Sequence, residues 1–414
     1  LVSLRGRGLN AMNNKAVPSA EKPLAGIKIL ELSTMVTCSF ASMTLAAQGA
    51  EVIKIEPPLG GDVMRHLGHQ KNGISALFHN CNRGKRSLAI DLKSSEGSDA
   101  VKQLAAEADL LMHNYRPGVM ERMGLDSASL RKANKRLTYI AVTGFGLEGP
   151  MAGEPAYDHV IQAMTGITDL QGEGEKDFSF VRTLLCDKIT AYTLCQAATA
   201  ALLARATTGE GQHIDISMLH ACLAFVWPDG MMHHTLHEDD VIAMSPVSDY
   251  YQTLNLNDGS IAVAALQDKH WQALLPLIGY PELVDNPMFK TMGARLSNMS
   301  EVLKILKSPR KDVGVTRALE ILKAADVPCG PCEYRSDVAE HSQVKAIGAL
   351  ETYVAKHLGS LTVPTPPVQF AGAATSQALS SPTLGEQSRN ILQELGWSDA
   401  KIDRLIENKV VQCG

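Results

Sequence analysis

Aromatic residues are scarce: Phe, Trp and Tyr make up 5% of the 414 residues, too few for the base-stacking platform of a single-strand nucleic-acid binder. Charge of one sign is lacking too. The 39 basic and 44 acidic residues leave a net charge of −5 with no segment dominated by Lys and Arg, so no polyanion-binding tail and no nucleic-acid partner are expected. No stretch reaches the ~20 uninterrupted apolar residues of a membrane span. The longest apolar helix candidate, near 189–206, is broken by Thr, Gln and Arg, and no membrane association is expected. Metal-ligand spacings are missing as well. Cys329-Gly330-Pro331-Cys332 is a single C-x-x-C without a second Cys or His pair at finger spacing, and no carboxylate separates His233 and His234 from His237. No metal site is expected.

What is present is a 45% hydrophobic chain, long enough for a large core and two or three domains. Plentiful Ala and Gly suit close packing of helices on a sheet. Eight cysteines, at 38, 81, 186, 195, 222, 329, 332 and 413, fall mostly inside apolar runs and read as reduced, buried thiols of a soluble, cytoplasmic protein. The chain begins without Met, and residues 1–21, with Arg5 and Arg7 near their start, are expected to form a flexible N-terminal extension outside the fold.

From Ile27 onward short β-rich runs alternate with helical stretches: IKILEL, a helix near 39–48, EVIKIE, SLAIDL, a helix near 95–107, DLLMHN and LTYIAVTG. This is the rhythm of parallel βαβ units. The helix near 189–206 ends at Thr208-Gly209 and the strand HIDISML follows. The region 223–337 changes character, with a hairpin around Asn257-Asp258-Gly259 and helices at 268–277, 301–307 and 315–324, and reads as a smaller α+β domain. From 338 come a Pro-rich extended run (TVPTPPVQF), the low-complexity AGAATSQALSSP and a closing helix pair. Expected boundaries are 22–222 for the N-terminal part of a large Rossmann-like domain, 223–337 for the small domain and 338–414 for a C-terminal part returning to the large one.

Three features carry candidate chemistry. Gly144-Phe145-Gly146-Leu147-Glu148-Gly149 follows a strand as a formal G-x-G-x-x-G, but Pro150 and Pro155 forbid the helix of a dinucleotide fold, so it reads as a glycine-rich loop lining another site. Asp187 sits between apolar Leu184-Leu185-Cys186 and a long Ala-rich helix. It suits a helix cap, and it equally suits a nucleophile kept ionised by the helix N-terminus and stripped of water by its neighbours. A second carboxylate lies in Ala156-Tyr157-Asp158-His159; alone it is an ordinary polar turn.

PLAGIKILEL, GAEVIKIEPPLGGD, NCNRGKRSLAIDLK, HNYRPGVMERMGLD, TGFGLEGP, AYDHVIQAMTG, TGEGQHIDISML, VPCGP and PTLGEQSRNILQELG, in that order, resemble the class III CoA-transferases from Pro23 to about Val411. That family includes formyl-CoA, carnitine and glutarate CoA-transferases and the α-methylacyl-CoA racemases. The resemblance implies a large Rossmann-like α/β domain with a parallel sheet, built from both ends of the chain, a small domain and an interlocked homodimer. It implies acyl-CoA and small carboxylic acids as partners, with CoA thioesters as substrates and no permanently bound cofactor. By the same resemblance the nucleophile falls on Asp187 and a Tyr-acid pair on Tyr157 and Asp158. Lys93, Asn114, Tyr115, Arg122 and Met123 fall on CoA-contacting positions: cations for phosphates, Tyr115 and Met123 for the adenine. Departures are Val36 and Thr37-Cys38-Ser39 in place of Gln and Ala-Gly-Pro, and Ala264-Ala265-Leu266-Gln267 in place of a glycine-rich lid, closer in shape to the racemase version.

A racemase needs two acid/base groups flanking the carbon beside the thioester, and the racemases of the family use a His-Asp pair where this chain has Tyr157-Asp158. A phenol, titrating ordinarily at about 10, is a poor base near neutral pH, so transfer is the expected activity. In the transferase mechanism an aspartate attacks the donor thioester to give a mixed anhydride, then an aspartyl-CoA thioester, and the acceptor acid reverses the sequence. Gly144, Gly146 and the 264–267 loop, with Gln267 at its end, are the candidate oxyanion donors and lid. A 2-methylacyl-CoA racemase and an inactive CoA-binding protein are the alternative readings of the same fold, and a nicotinamide dehydrogenase is the third.

Overall fold

The structure is a computed structural model that describes residues 22–172, 177–242, 246, 248, 251–307, 312–371 and 379–414. The expected extension over 1–21 and most of the AGAATSQALSSP stretch lie outside the described residues. Two compact units form. One comprises the described residues up to Gln162, Arg182–Ala221 and Gly348–Gly414; the other comprises Ala163–Val181 and Cys222–Ile347.

The first unit is built on β1 (Lys28–Leu32), β2 (Glu51–Glu56), β3 (Lys85–Ile90), β4 (Leu110–His113), β5 (Thr138–Thr143) and β6 (His213–Ser217). These pair in parallel in the order β3-β2-β1-β4-β5-β6, and Val411–Gln412 adds an antiparallel edge beside β3. Continuous apolar runs in β3, β4 and β5 are buried, as expected of strands covered on both faces. Ile391 and Leu392 from the helix Ser388–Glu394, and Ile402 and Leu405 from Asp399–Glu407, join Leu30, Ile55, Leu88 and Leu111 in one core. The last residues of the chain therefore help to bury the first strand.

Four helices matter for the site: α1 (Val36–Ala47), α2 (Ser95–Glu107), α3 (Asp158–Met164) and α4 (Leu185–Thr208). α2 begins where the sequence places it, its Ser94 hydroxyl accepting from the Gly97 N–H at 2.9 Å. α4 begins four residues earlier than its apolar pattern suggests. Leu184 stands at the cap and makes no side-chain bond, so the segment offers no polar start signal and Asp187 falls inside the first turn. α1 is rich in small residues, which lets α4 approach closely enough for the Cys195 thiol to donate to the Ala41 carbonyl at 3.4 Å.

A buried polar cluster anchors α1 to the sheet. The Glu31 carboxylate accepts from Lys54 and Lys85, each at 2.6 Å, and from the hydroxyls of Ser33, Ser39 and Ser42 at 2.7, 2.8 and 2.6 Å. Lys54 also pairs with Asp62 at 2.9 Å, and Arg65 grips Glu56 with two bonds at 2.8 and 2.7 Å. All of these side chains are buried, and the three carboxylates match the three cations. Burial pushes Glu31 up, yet Lys54 and Lys85 overcome it and hold the carboxyl below the usual range. Burial likewise opposes the charge on Lys54, and Asp62, Glu31 and Glu56 restore it, whereas burial pushes Lys85 down to about 8, with Glu31 opposing the shift and Lys54 adding to it.

In the second unit the expected hairpin forms from β7 (Gln252–Asn255) and β8 (Ser260–Val263), and β9 (Cys329–Pro331) extends it antiparallel. The helices Asp268–Leu277, Met299–Leu306 and Val315–Ala324 cover it, with Trp271, Leu274, Val302 and Leu322 in the core. In the first unit, the Pro-rich run expected as extended chain is strand over its first three residues, 362–364. β11 (Gly359–Pro364) pairs antiparallel with β10 (Leu350–Ala355), and the Thr352 and Thr362 hydroxyls meet at 2.9 Å across the ladder. Thr and Val ahead of the prolines favour the pleat, and Pro364 ends the strand because it has no N–H to continue pairing.

Candidate active site

Apart from Asp187, whose helix follows other helices, the candidate residues of the first unit lie in the segments that follow the C-terminal ends of parallel strands, where open α/β sheets bind ligands. The loop after β1 is held under strain. Met35 takes φ 64° and ψ −164°, a region that side chains disfavour, and its N–H donates to Asp62 Oδ1 at 3.1 Å. Asn114, after β4, clasps the same loop with both ends of its amide, accepting from the Thr34 N–H at 3.1 Å and donating to the Thr34 carbonyl at 2.6 Å. These bonds fix where α1 starts.

The first turn of α1 then meets the first turn of α4. The Thr37 hydroxyl donates to Asp187 Oδ1. Thr37 is 2% exposed and Asp187 7% exposed, so the bond lies in a nearly dry setting. The Thr37 main-chain N–H faces the same carboxylate and favours its charged form. The Asp187 N–H, one of the donors a helix leaves unpaired at its start, donates to Asp158 Oδ2 at 3.0 Å. Asp158 Oδ1 accepts from Gln162 Nε2 at 2.6 Å, and the same nitrogen reaches the Thr183 carbonyl at 3.3 Å. Asp158 thus has both oxygens engaged, while Asp187 is held by Thr37. Burial pushes the Asp187 carboxyl above the ordinary aspartate value and Asp158 adds repulsion, while Thr37 and Lys188 favour the charged form.

The other sequence-predicted residues divide into groups. Gly144 has no room for a side chain, since a Cβ there would stand 2.2 Å from that of Ala156; this close approach seats the Tyr157-Asp158 turn. Gly146 takes φ 100°, and its N–H donates to the Thr143 hydroxyl at 3.1 Å. That amide is already engaged. Tyr157 is 60% exposed, its ring stacked on His159 at 6.4 Å. Tyr115 and Met123 are half-buried against the core, Lys93 and Arg122 are exposed, and Asn114 spends its side chain on Thr34. Gln267 precedes the helix Asp268–Leu277 in the second unit, where its N–H donates to His270 Nδ1 at 3.3 Å.

The roles of three residues escaped the sequence reading. Gln162 stands four residues after Asp158 on α3, a spacing that signals contact on a helix face. Thr37 and Ser39 stood out only as departures from a family pattern; in the fold one hydroxyl reaches Asp187 and the other joins the Glu31 cluster. Among the described residues no group of three or more His, Cys, Asp or Glu side chains could hold a metal, and no helix is long and apolar enough to cross a membrane.

Comparison with known proteins supplies the family. The chain is 31% identical over 412 residues to succinyl-CoA:glutarate CoA-transferase of Mus musculus, covering 98% of this chain and 94% of that protein. It is 31% identical over 386 residues to acetyl-CoA:oxalate CoA-transferase of Acetobacter aceti, covering 92% and 97%. Among solved structures, a CAIB/BAIF family protein from Brucella suis superposes with a TM-score of 0.79 at 32% identity, over 91% of this chain and all of that one (100%). A family model, that of CoA-transferase family III, matches residues 24–388, and the chain belongs to that family.

Proposed function

We propose that this chain moves CoA from an acyl-CoA donor to a carboxylic acid acceptor through covalent intermediates on Asp187. The observation that carries this reading is the Asp187 carboxylate itself: nearly buried, at the start of a long helix, with Oδ1 held by the Thr37 hydroxyl. Oδ2 bonds to the donor acyl carbon and the C–S bond breaks, releasing CoA thiolate. The thiolate attacks Asp187 Cγ, the Cγ–Oδ2 bond breaks, and the donor acid leaves as its carboxylate with aspartyl-CoA behind. The acceptor carboxylate then attacks Cγ, thiolate departs again, and its attack on the acceptor's acyl carbon yields the new thioester and free Asp187. Burial serves this route because anhydride and thioester both hydrolyse.

Short dicarboxylates are the first acceptors to try, because glutarate and oxalate appear in the names of the relatives. Incubation with a panel of acyl-CoA donors and free acids, read by mass for new thioesters, tests the activity; hydrolysis or α-carbon exchange without a new thioester would refute it. In this reading Lys93, Tyr115, Arg122 and Met123 hold CoA, and exposed Arg122 meets phosphate. Arg122→Ala is expected to raise KM for CoA esters about tenfold with a smaller change in kcat, the loss of one charge-assisted phosphate contact. An unchanged KM for donor and product thioesters would place Arg122 outside the site. The protein acts in the cytoplasm as an intertwined homodimer that survives dilution, and a monomer by light scattering at micromolar concentration would contradict the dimer.

A further inference from the structure

We infer that Thr37 is a catalytic residue of this chain, the oxyanion donor for both steps in which Asp187 Cγ is attacked. The inference rests on the proposed covalent role of Asp187 and goes beyond it by assigning the charge that develops there to a particular hydroxyl. When Oδ2 is acylated, Oδ1 becomes a carbonyl oxygen. Attack of CoA thiolate on Cγ turns Oδ1 into a full oxyanion, and collapse expels Oδ2 with the donor acid. Attack of the acceptor carboxylate on aspartyl-CoA turns the same Oδ1 into an oxyanion, and collapse expels the thiolate. Both charges appear on the atom to which Thr37 already donates.

The geometry suits this task in three ways. In the ground-state ester or anhydride Oδ1 carries only a partial charge, so the Thr37 bond strengthens on the way to the tetrahedral state, which is what lowers a barrier. The donor is fixed before the reaction. Thr37 is the second residue of α1, whose start is held by the Met35–Asp62 and Asn114–Thr34 bonds and whose same turn is tied to Glu31 through Ser39. Its surroundings are dry: Thr37, Cys38 and Ser39 are all buried, so the bond acts at low local dielectric. The Gly146 amide, one of the candidate donors in the first unit, is occupied by Thr143, and the Thr37 main-chain N–H that also faces the Asp187 carboxylate belongs to the same residue.

The test compares Thr37→Val with Thr37→Ser in the intact protein. In the absence of acceptor, wild type mixed with acyl-CoA should gain a CoA adduct on residue 187, followed by intact-protein and peptide mass. Thr37→Val should form that adduct and turn over about 100-fold more slowly, the usual effect of removing one oxyanion donor, with KM for the donor unchanged. Thr37→Ser keeps the hydroxyl and should stay within about threefold of wild type. Normal adduct formation and kcat in Thr37→Val would overturn the inference while leaving the Asp187 mechanism standing, as would a loss that Thr37→Ser does not restore. If Thr37→Val fails to fold, Thr37→Ala against Thr37→Ser gives the same contrast. Transfer by the wild type without any residue-187 adduct would overturn the Asp187 reading and this one together.

Discussion

Asp187→Asn is expected to leave the protein folded and able to bind CoA esters while lowering transfer by several orders of magnitude. The amide keeps the shape of the side chain. Its oxygen can still accept from Thr37, and the main-chain N–H of residue 187 can still donate to Asp158, so the local bonds survive. What is lost is the negative charge and the second carboxylate oxygen. If Asp187 served only the helix, the change would remove a favourable charge near the N-terminus, worth up to about 1 kcal/mol, and activity would be nearly normal. Capping does not enter this comparison, since Leu184 holds the cap position and Asp187 is three residues on. The raised carboxyl of Asp187 adds a pH signature: kcat/KM of the wild type should fall on acidification at higher pH than an ordinary aspartate would give. Near-normal turnover in the Asn variant would remove Asp187 from the chemistry.

Lys54→Met should be the most destabilising single change in the sheet, costing about 3–5 kcal/mol. Lys54 is fully buried between Glu31 and Asp62; its removal leaves Glu31 with Lys85 and hydroxyls and leaves Asp62 with main-chain N–H groups alone. Lys54→Met combined with Asp62→Asn should recover part of the loss, because the cost lies mainly in stranding a charge. Urea unfolding of the wild type and the two variants checks this. A midpoint for Lys54→Met indistinguishable from wild type would mean that the cluster contributes nothing to holding α1. Through Ser39 and Met35 the same cluster sets the position of Thr37, so the single variant is expected to lose activity beyond its loss of folded protein.

Much of this was legible in the sequence, and the parts that were not share a cause. Alternating β-rich and helical runs give the parallel sheet, and α2 and the helices Asp268–Leu277 and Val315–Ala324 fall where their patterns put them, because caps, glycines and apolar periods agree there. The start of α4 was hidden since Leu184 is no capping residue. The β10–β11 hairpin was hidden by its prolines, which mark the strand's end rather than its absence. Within the site, Asp187 and Asp158 could be picked out by chemical type and family pattern. Their partners could not: Thr37 lies 150 residues before Asp187, and which hydroxyl meets which carboxylate is decided by how α1 packs on α4. Charge balance in the Glu31 cluster is equally a property of the folded sheet. In the sequence, Glu31, Lys54 and Lys85 are three ordinary charged residues on three strands.

The central claim is that Asp187 becomes covalently linked to the substrate, and trapping tests it most directly. Wild-type protein is mixed with acyl-CoA in the presence of hydroxylamine, digested, and its peptides are weighed. The account predicts a hydroxamate at residue 187, formed from the anhydride or the aspartyl-CoA thioester, and none in the Asp187→Asn protein. A hydroxamate mapping to Asp158, or unmodified peptides from protein that is transferring CoA at its full rate, would contradict it.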